Sequence, residues 1–440
     1  MSTKHFDVKE HVIPAQHIRG YFKSTANSEE EELRLAVKQY SPKDNREPQD
    51  GDVTFIAAHA AGFCKELYEP LFDDLHQQSQ GSFRIRSIWI ADISTHGQSG
   101  VLNEGRLGID LTWEDHARDL MQMTNIFRKE MPKPIVGLGH SMGANNIIQL
   151  ALYHPRLLDA VICVEPVLNR DHKGMNFSPS YWLTERRDLW PSKEIAVAEN
   201  RKSGLVKTWD PRVADRWDEF GFRELPTLLH PNADREGSRP VTFSTTKHHD
   251  VRAFVRDCHP PAGEPLEHFQ PTRLSHPEID KDQHSRHQQP AYRGDAVKLF
   301  RQIPFLRPPC LYIYGKRSTL FGSKPAGRAE KLEITGIEVG GSGGAKIGKV
   351  AEAVLDGAGH FAALEKPAKV AETASNWLSS QLQTWREEMA TEAGDWHSLD
   401  SRQKAMVSDD WRWWVKEWYA RKKPDDRRKP TEKESSGARL

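Results

Sequence analysis

The 440-residue chain is poor in cysteine: Cys64, Cys163, Cys258 and Cys310 are far apart, and no C-x-x-C pair occurs. That scarcity excludes a disulfide scaffold and reads as buried free thiols in a reducing compartment. An excess of charge is also missing. Sixty-two basic residues face 62 acidic ones, which leaves no electrostatic footprint for nucleic acid or an anionic membrane. Long apolar runs are missing as well. Stretches such as Pro134–Leu138 and Ala160–Val164 fall far short of the ~18 residues that cross a bilayer. The start, MSTKHFDVKEH, is charged throughout and holds no secretory h-region. Self-similarity at roughly 20–50 residues is absent. Hydrophobic residues make up only 37%, so a packed core must coexist with long polar segments.

What is present is an alternation of β-branched runs with helical stretches, the pattern of a mostly parallel sheet covered on both faces. Strands are expected over 52–59, 84–92, 134–140, 159–165, 310–315 and 351–355, with an edge strand over 33–40. Helices are expected over 66–77, 112–129, 142–153 and 366–389. Between 166 and 308 the rhythm breaks into Pro-, His- and Arg-rich sequence with short amphipathic pieces at 213–221 and 248–258. The stretch 259–293 reads as an exposed, partly disordered loop. The domain plan is therefore a core in two parts, 1–165 and 309–389, a partly disordered insertion at 166–308, and a Trp-rich segment with a charged tail at 390–440.

The most informative stretch is Pro134-Ile-Val-Gly-Leu-Gly139-His140-Ser141-Met142-Gly143-Ala. An apolar strand runs into G-x-S-x-G and straight on into a helix, which is the nucleophile elbow. The turn is sharp, and side chains in place of either glycine would clash with neighbouring backbone. The serine is expected in a strained conformation that pushes its hydroxyl into solvent, at a helix N-terminus that favours negative charge.

With these residues the chain resembles the α/β-hydrolase family. His59-Ala60-Ala61-Gly62 is similar to the family's H-G oxyanion loop, with Ala60 in the glycine position. The run Asp92 to Gly100 resembles the D-x-x-G-H-G-x-S turn, and Gly357 to Pro367 resembles the histidine loop. The likeness covers roughly residues 50–165 and 308–385 and implies an α/β fold, a mostly parallel sheet flanked by helices with a cap insertion after the sixth strand. It also implies an acyl-enzyme mechanism without cofactor or metal. Ser141 is the nucleophile, His360 the base, and the backbone N–H groups of Ala61 and Met142 form the oxyanion hole.

The triad acid departs from the pattern. Where the family carries an aspartate after the strand 310–315, this chain has Ser318. Glu165, ending the strand after the nucleophile helix, is the favoured acid, because some members place it there and adjacent parallel strand ends are neighbours. Ser318, Asp356 and a dyad without an acid remain the alternatives.

Other signals carry less. Gly340 to Lys346 lacks phosphate-loop spacing and reads as a flexible βα connection. His284 and His287 have no third ligand in register. The tryptophans at 411–418 read as a stripe that packs back on the domain, and the charges at 421–429 as a solvated linker. Ala438-Arg439-Leu440 follows the logic of the peroxisomal C-terminal address and implies an import receptor as partner. With HVIPAQHIRGY and GFCKELYEPL it narrows the resemblance to fungal peroxisomal α/β-hydrolases, the group of the yeast peroxisomal lipase and of hydrolases in host-selective toxin biosynthesis. The expected function is a serine hydrolase cleaving a carboxylic ester or thioester: lipid, acyl-CoA or polyketide-like. The alternatives are an impaired scaffold that binds a small molecule or partner, and an acyltransferase of secondary metabolism.

Overall fold

The computed structural model describes residues 4–170, 178–231, 239–279, 290–319 and 325–421. Eight strands form one sheet in the order β1-β2-β4-β3-β5-β6-β11-β12. They are β1 Phe6–Pro14, β2 Arg34–Pro42, β3 Val53–Ala58, β4 Ile85–Ala91, β5 Ile135–His140, β6 Ala160–Val164, β11 Cys310–Gly315 and β12 Val350–Leu355. From β4 to β12 every neighbouring pair is parallel; β1 with β2 and β2 with β4 are antiparallel. Every residue of β3, β5, β6 and β11 is buried, because helices cover both faces and no polar side is needed. One face packs Phe55, Leu138, Ile162 and Ile313, and the other packs Ile56, Ile135, Val161 and Tyr312.

Strand β1 was not expected. Its apolar residues are interspersed with charges and most of its side chains are at least partly exposed, as suits the outermost strand of a sheet. All four cysteines are buried free thiols.

The insertion follows β6, as expected. It holds β7 Phe222–Glu224 paired with β8 Val241–Phe243, and β9 Arg256–Asp257 paired with β10 Ala291–Tyr292. Helix Pro211–Phe220 covers the amphipathic piece at 213–221 up to its last residue, and the piece at 248–258 divides between helix Lys247–Phe254 and β9. In the stretch expected as an exposed loop, Glu278 is anchored: it takes the Tyr21 hydroxyl at 2.6 Å and pairs with Arg256 at 3.4 Å. The glycine run 340–344 corrects another expectation. It lies between helix Pro325–Ile334 and β12, so the connection is αβ.

The described chain divides into two compact units, Met1–Leu382 and Gln383–Leu440. Helix Asp409–Arg421 belongs to the second, and Trp411, Trp413, Trp414 and Trp418 are each more than half exposed. Among the described residues no helix is long and apolar enough to cross a membrane. His284, His287 and Ala438-Arg439-Leu440 lie outside the described residues.

Candidate active site

The elbow forms between β5 and helix Met142–Tyr153. A Cβ on Gly139 would strike the backbone of Ala144, and one on Gly143 would strike the Ala58 carbonyl, so both glycines are required by close approach. Between them Ser141 sits at φ 55° and ψ −116°. Among the described residues only Ser141 and Glu165 are non-glycines with positive φ. Such backbone costs about 1–3 kcal/mol per residue and persists where surrounding structure imposes it. The backbone ladder does so here: Ser141 N–H donates to Val164 O at 2.9 Å and Glu165 N–H to Ile313 O at 2.8 Å.

These two strained residues meet one imidazole. The Ser141 hydroxyl lies 2.9 Å from Nε2 of His360, and His360 Nδ1 lies 3.1 Å from Oε2 of Glu165. Glu165 is fully buried, and a buried carboxylate needs donors. It has three: the His360 ring, the Gly315 N–H at 2.5 Å and the Ser318 hydroxyl at 2.6 Å. With Nδ1–H committed to the carboxylate, Nε2 presents its lone pair to the serine hydroxyl.

Of the alternative acid positions, Ser318 serves Glu165 as a donor, its hydroxyl 2.6 Å from Oε2. Asp356 is exposed and pairs with Lys316 at 2.8 Å. Ser141 is only 8% exposed, where the expectation was a hydroxyl pushed out into solvent.

The loop after β3 is pinned on both sides of Ala60. Its N–H donates to the Tyr68 hydroxyl at 2.9 Å. Its carbonyl accepts from His59 Nδ1 at 2.8 Å; that nitrogen carries the proton because Nε2 accepts the Ile93 N–H at 3.0 Å. Burial lowers the His59 pKa and keeps the ring neutral. In a trans peptide the Ala60 carbonyl and the Ala61 N–H point in opposite directions, so holding one aims the other. The Met142 N–H opens its helix and has no intrahelical acceptor. The motif's Asp92 is a structural partner here: it bonds the Lys65 ammonium at 2.7 Å, the Lys65 N–H at 2.8 Å and the Gln98 N–H at 2.9 Å.

A cavity of about 520 Å³ adjoins the loop, lined by Ala61, Phe63, Trp182, Trp190, Trp209 and Phe361 among others. The loop after β3, the insertion and the loop that carries His360 all contribute to its wall. Among the described residues no cluster of three or more His, Cys, Asp or Glu could hold a metal.

Sequence reasoning missed three supports of this geometry. Glu365 accepts the Gly359 N–H at 2.7 Å and braces the loop that carries His360. Tyr68 and His140 hydrogen-bond each other at 2.7 Å. All three lie in quoted motifs, but their partners come from elsewhere in the chain and leave no local pattern.

A model of the alpha/beta hydrolase family matches residues 55–373. The chain is 37% identical over 431 residues to the type I acyl-CoA thioesterase mpaH' of Penicillium brevicompactum, spanning 93% of this chain and 95% of that protein. It is 23% identical over 283 residues to the abhydrolase domain-containing protein AFT2-1 of Alternaria alternata, spanning 64% of this chain and 97% of that one. Among solved structures, the peroxisomal alpha-beta-hydrolase Lpx1 of Saccharomyces cerevisiae shares the fold, with a TM-score of 0.63 at 17% identity over 92% of this chain and 99% of that chain.

Proposed function

This chain belongs to the alpha/beta hydrolase family, and from that membership we propose that it is a serine hydrolase of acyl thioesters or esters, with acyl-CoA thioesters of secondary metabolism as its substrate class. One observation carries the reading: an unbroken hydrogen-bonded line from the Ser141 hydroxyl through His360 to the buried Glu165 carboxylate. The 37% identity to a type I acyl-CoA thioesterase supports the thioester over the simple ester.

The chemistry follows from these positions. Serine is a weak nucleophile until a base takes its proton. His360 Nε2 accepts it as Ser141 Oγ attacks the acyl carbon, and Glu165 stabilises the imidazolium formed. The oxygen of the tetrahedral adduct gains negative charge beside the N–H groups of Ala61 and Met142, each worth on the order of 3 kcal/mol. His360 returns its proton to the departing thiol or alcohol. Water then attacks the acyl-enzyme by the same route in reverse, releasing the acid and free serine. The aromatic cavity receives the acyl group, gaining about 25 cal/mol for each Å² of apolar surface buried.

The enzyme is addressed to the peroxisomal matrix by Ala438-Arg439-Leu440, and that tripeptide is the support for the location. Import of a tagged chain with and without the last three residues tests it.

The activity test is thiol release from a panel of acyl-CoA thioesters, with Ser141→Ala as control and a fluorophosphonate as active-site probe. Release that Ser141→Ala abolishes, with labelling at Ser141, supports the reading. Release unaffected by Ser141→Ala overturns it. Acyl product appearing on an added alcohol in place of free acid moves it to acyl transfer.

A further inference from the structure

Two buried side chains outside the triad, Tyr68 and His140, connect its separate halves. Tyr68 closes a short 3-10 turn after β3, and His140 ends β5 immediately before the nucleophile. They are 2% and 1% exposed. The bonds run in one direction. Ala60 N–H donates to the Tyr68 oxygen at 2.9 Å, and the Tyr68 oxygen lies 2.7 Å from His140 Nδ1. His140 Nε2 lies 2.9 Å from the backbone carbonyl of His360.

Only one set of proton positions satisfies this chain. A carbonyl oxygen can only accept, so His140 carries its proton on Nε2. Burial, with the His360 ring nearby, holds the His140 pKa at about 3, so the ring is neutral and Nδ1 is an acceptor. The Tyr68 hydroxyl must then donate to it while accepting from Ala60. Three segments far apart in sequence are thereby tied: the oxyanion loop, the elbow and the base loop.

We infer that Tyr68 and His140 are positioning residues, a phenol–imidazole strap that sets the distance between the oxyanion donor at Ala61 and the His360 ring. The inference rests on the serine-hydrolase reading above. Ala60 is held at its N–H by Tyr68 and at its carbonyl by His59, which leaves the next peptide little freedom to rotate. The same strap grips the backbone of the residue whose ring must stay 2.9 Å from Ser141. Misplacement of reacting groups by about 1 Å costs on the order of a hundredfold in rate. A strap that acts only on placement therefore changes kcat and leaves substrate affinity alone.

The test uses the full chain with Tyr68→Phe, which removes one oxygen from a buried site. The expected result is fluorophosphonate inactivation slowed about tenfold or more, with kcat for an acyl-CoA thioester falling in the same proportion and KM within about twofold. Nitrogen-15 NMR of the wild-type His140 ring at neutral pH is expected to show the neutral Nε2–H tautomer. Inactivation and kcat within about twofold of wild type in Tyr68→Phe overturn the strap. If that variant fails to fold, a wild-type His140 ring found cationic, or protonated at Nδ1, overturns it equally. Full activity in Ser141→Ala instead sinks the hydrolase reading, while the ring tautomer still decides the strap.

Discussion

The sheet and the insertion after β6 are built by different means. Strands β3, β5, β6 and β11 are five or six residues long and buried throughout, so hydrophobic contact and backbone ladders set their places. The insertion's strands are two or three residues long. It relies on an aromatic cluster of Trp190, Trp217, Phe222 and Phe243 and on charged bonds to the core. Arg256 pairs with Asp110 at 2.7 Å, and Asp295 accepts the Trp113 N–H at 2.9 Å. The difference separates duties. The rigid part holds Ser141 and Glu165 in strained backbone at strand ends, and the cross-linked part supplies most of the cavity's aromatic wall. Substitutions in the sheet are expected to change rate or stability, and those in the insertion to change which acyl group is taken.

The strongest way to break this division is Ser141→Ala, expected to lower thiol release from an acyl-CoA by roughly 10⁴-fold or more with unchanged thermal stability. Next comes Glu165→Gln. It keeps the shape but removes the charge that supports the imidazolium, and kcat is expected to fall by about 10³–10⁴. Ser318→Ala, losing one donor to the same carboxylate, is expected to cost only about tenfold. Steady-state kinetics showing the opposite order would move the acid away from β6.

Stability sharpens the comparison further. Ile313→Ala in the middle of the sheet is expected to cost about 2–5 kcal/mol in chemical denaturation. Trp182, which lines the cavity but is 70% exposed, is expected to cost little when changed to alanine.

A pH series reads the core by another route. Burial lowers the pKa of His59, His96, His116 and His140 in the folded chain, the last to about 3. Below the ordinary value near 6.5 the unfolded chain binds protons that the folded chain refuses. Stability is therefore present above that pH and lost as pH falls, by about 1.4 kcal/mol per pH unit for each such ring. Burial raises the carboxyl pKa values of Asp115 and Asp250, which opposes the trend once these groups titrate. Denaturation midpoints at pH 7 and pH 5.5 are expected to show net proton uptake on unfolding. Trp209→Ala opens the cavity wall. It is expected to shift the ratio of kcat/KM between bulky and short acyl-CoA thioesters by about tenfold, leaving turnover of the short one unchanged.

How much was legible follows from these same elements. The span 310–315 and the helix 142–153 match the observed bounds, and the other expected strands lie within two residues of the observed ones at each end, because strands covered on both faces are apolar nearly throughout. Strand β1 escaped notice because charges stand between its apolar positions, and only Phe6, in the core on one side of the sheet, and Ile13, in the core on the other, are buried. The insertion's architecture escaped because its order comes from side chains such as Arg256, Glu278 and Tyr21, which find one another over long separations. At the site, the glycines around Ser141 and His360 were readable as local necessities of tight turns. The parts played by Ser318, Tyr68, His140 and Glu365 were not, since each depends on a partner brought by another segment.

By itself the sequence determined the fold class, the elbow and the loop that offers an imidazole, because hydrophobic periodicity and close backbone approach are local demands written into consecutive residues. Only the tertiary structure decided which carboxylate meets His360 and which donors satisfy it. Those choices depend on the lateral order of β5, β6 and β11 in the sheet, a neighbour relation that spacing along the chain does not record.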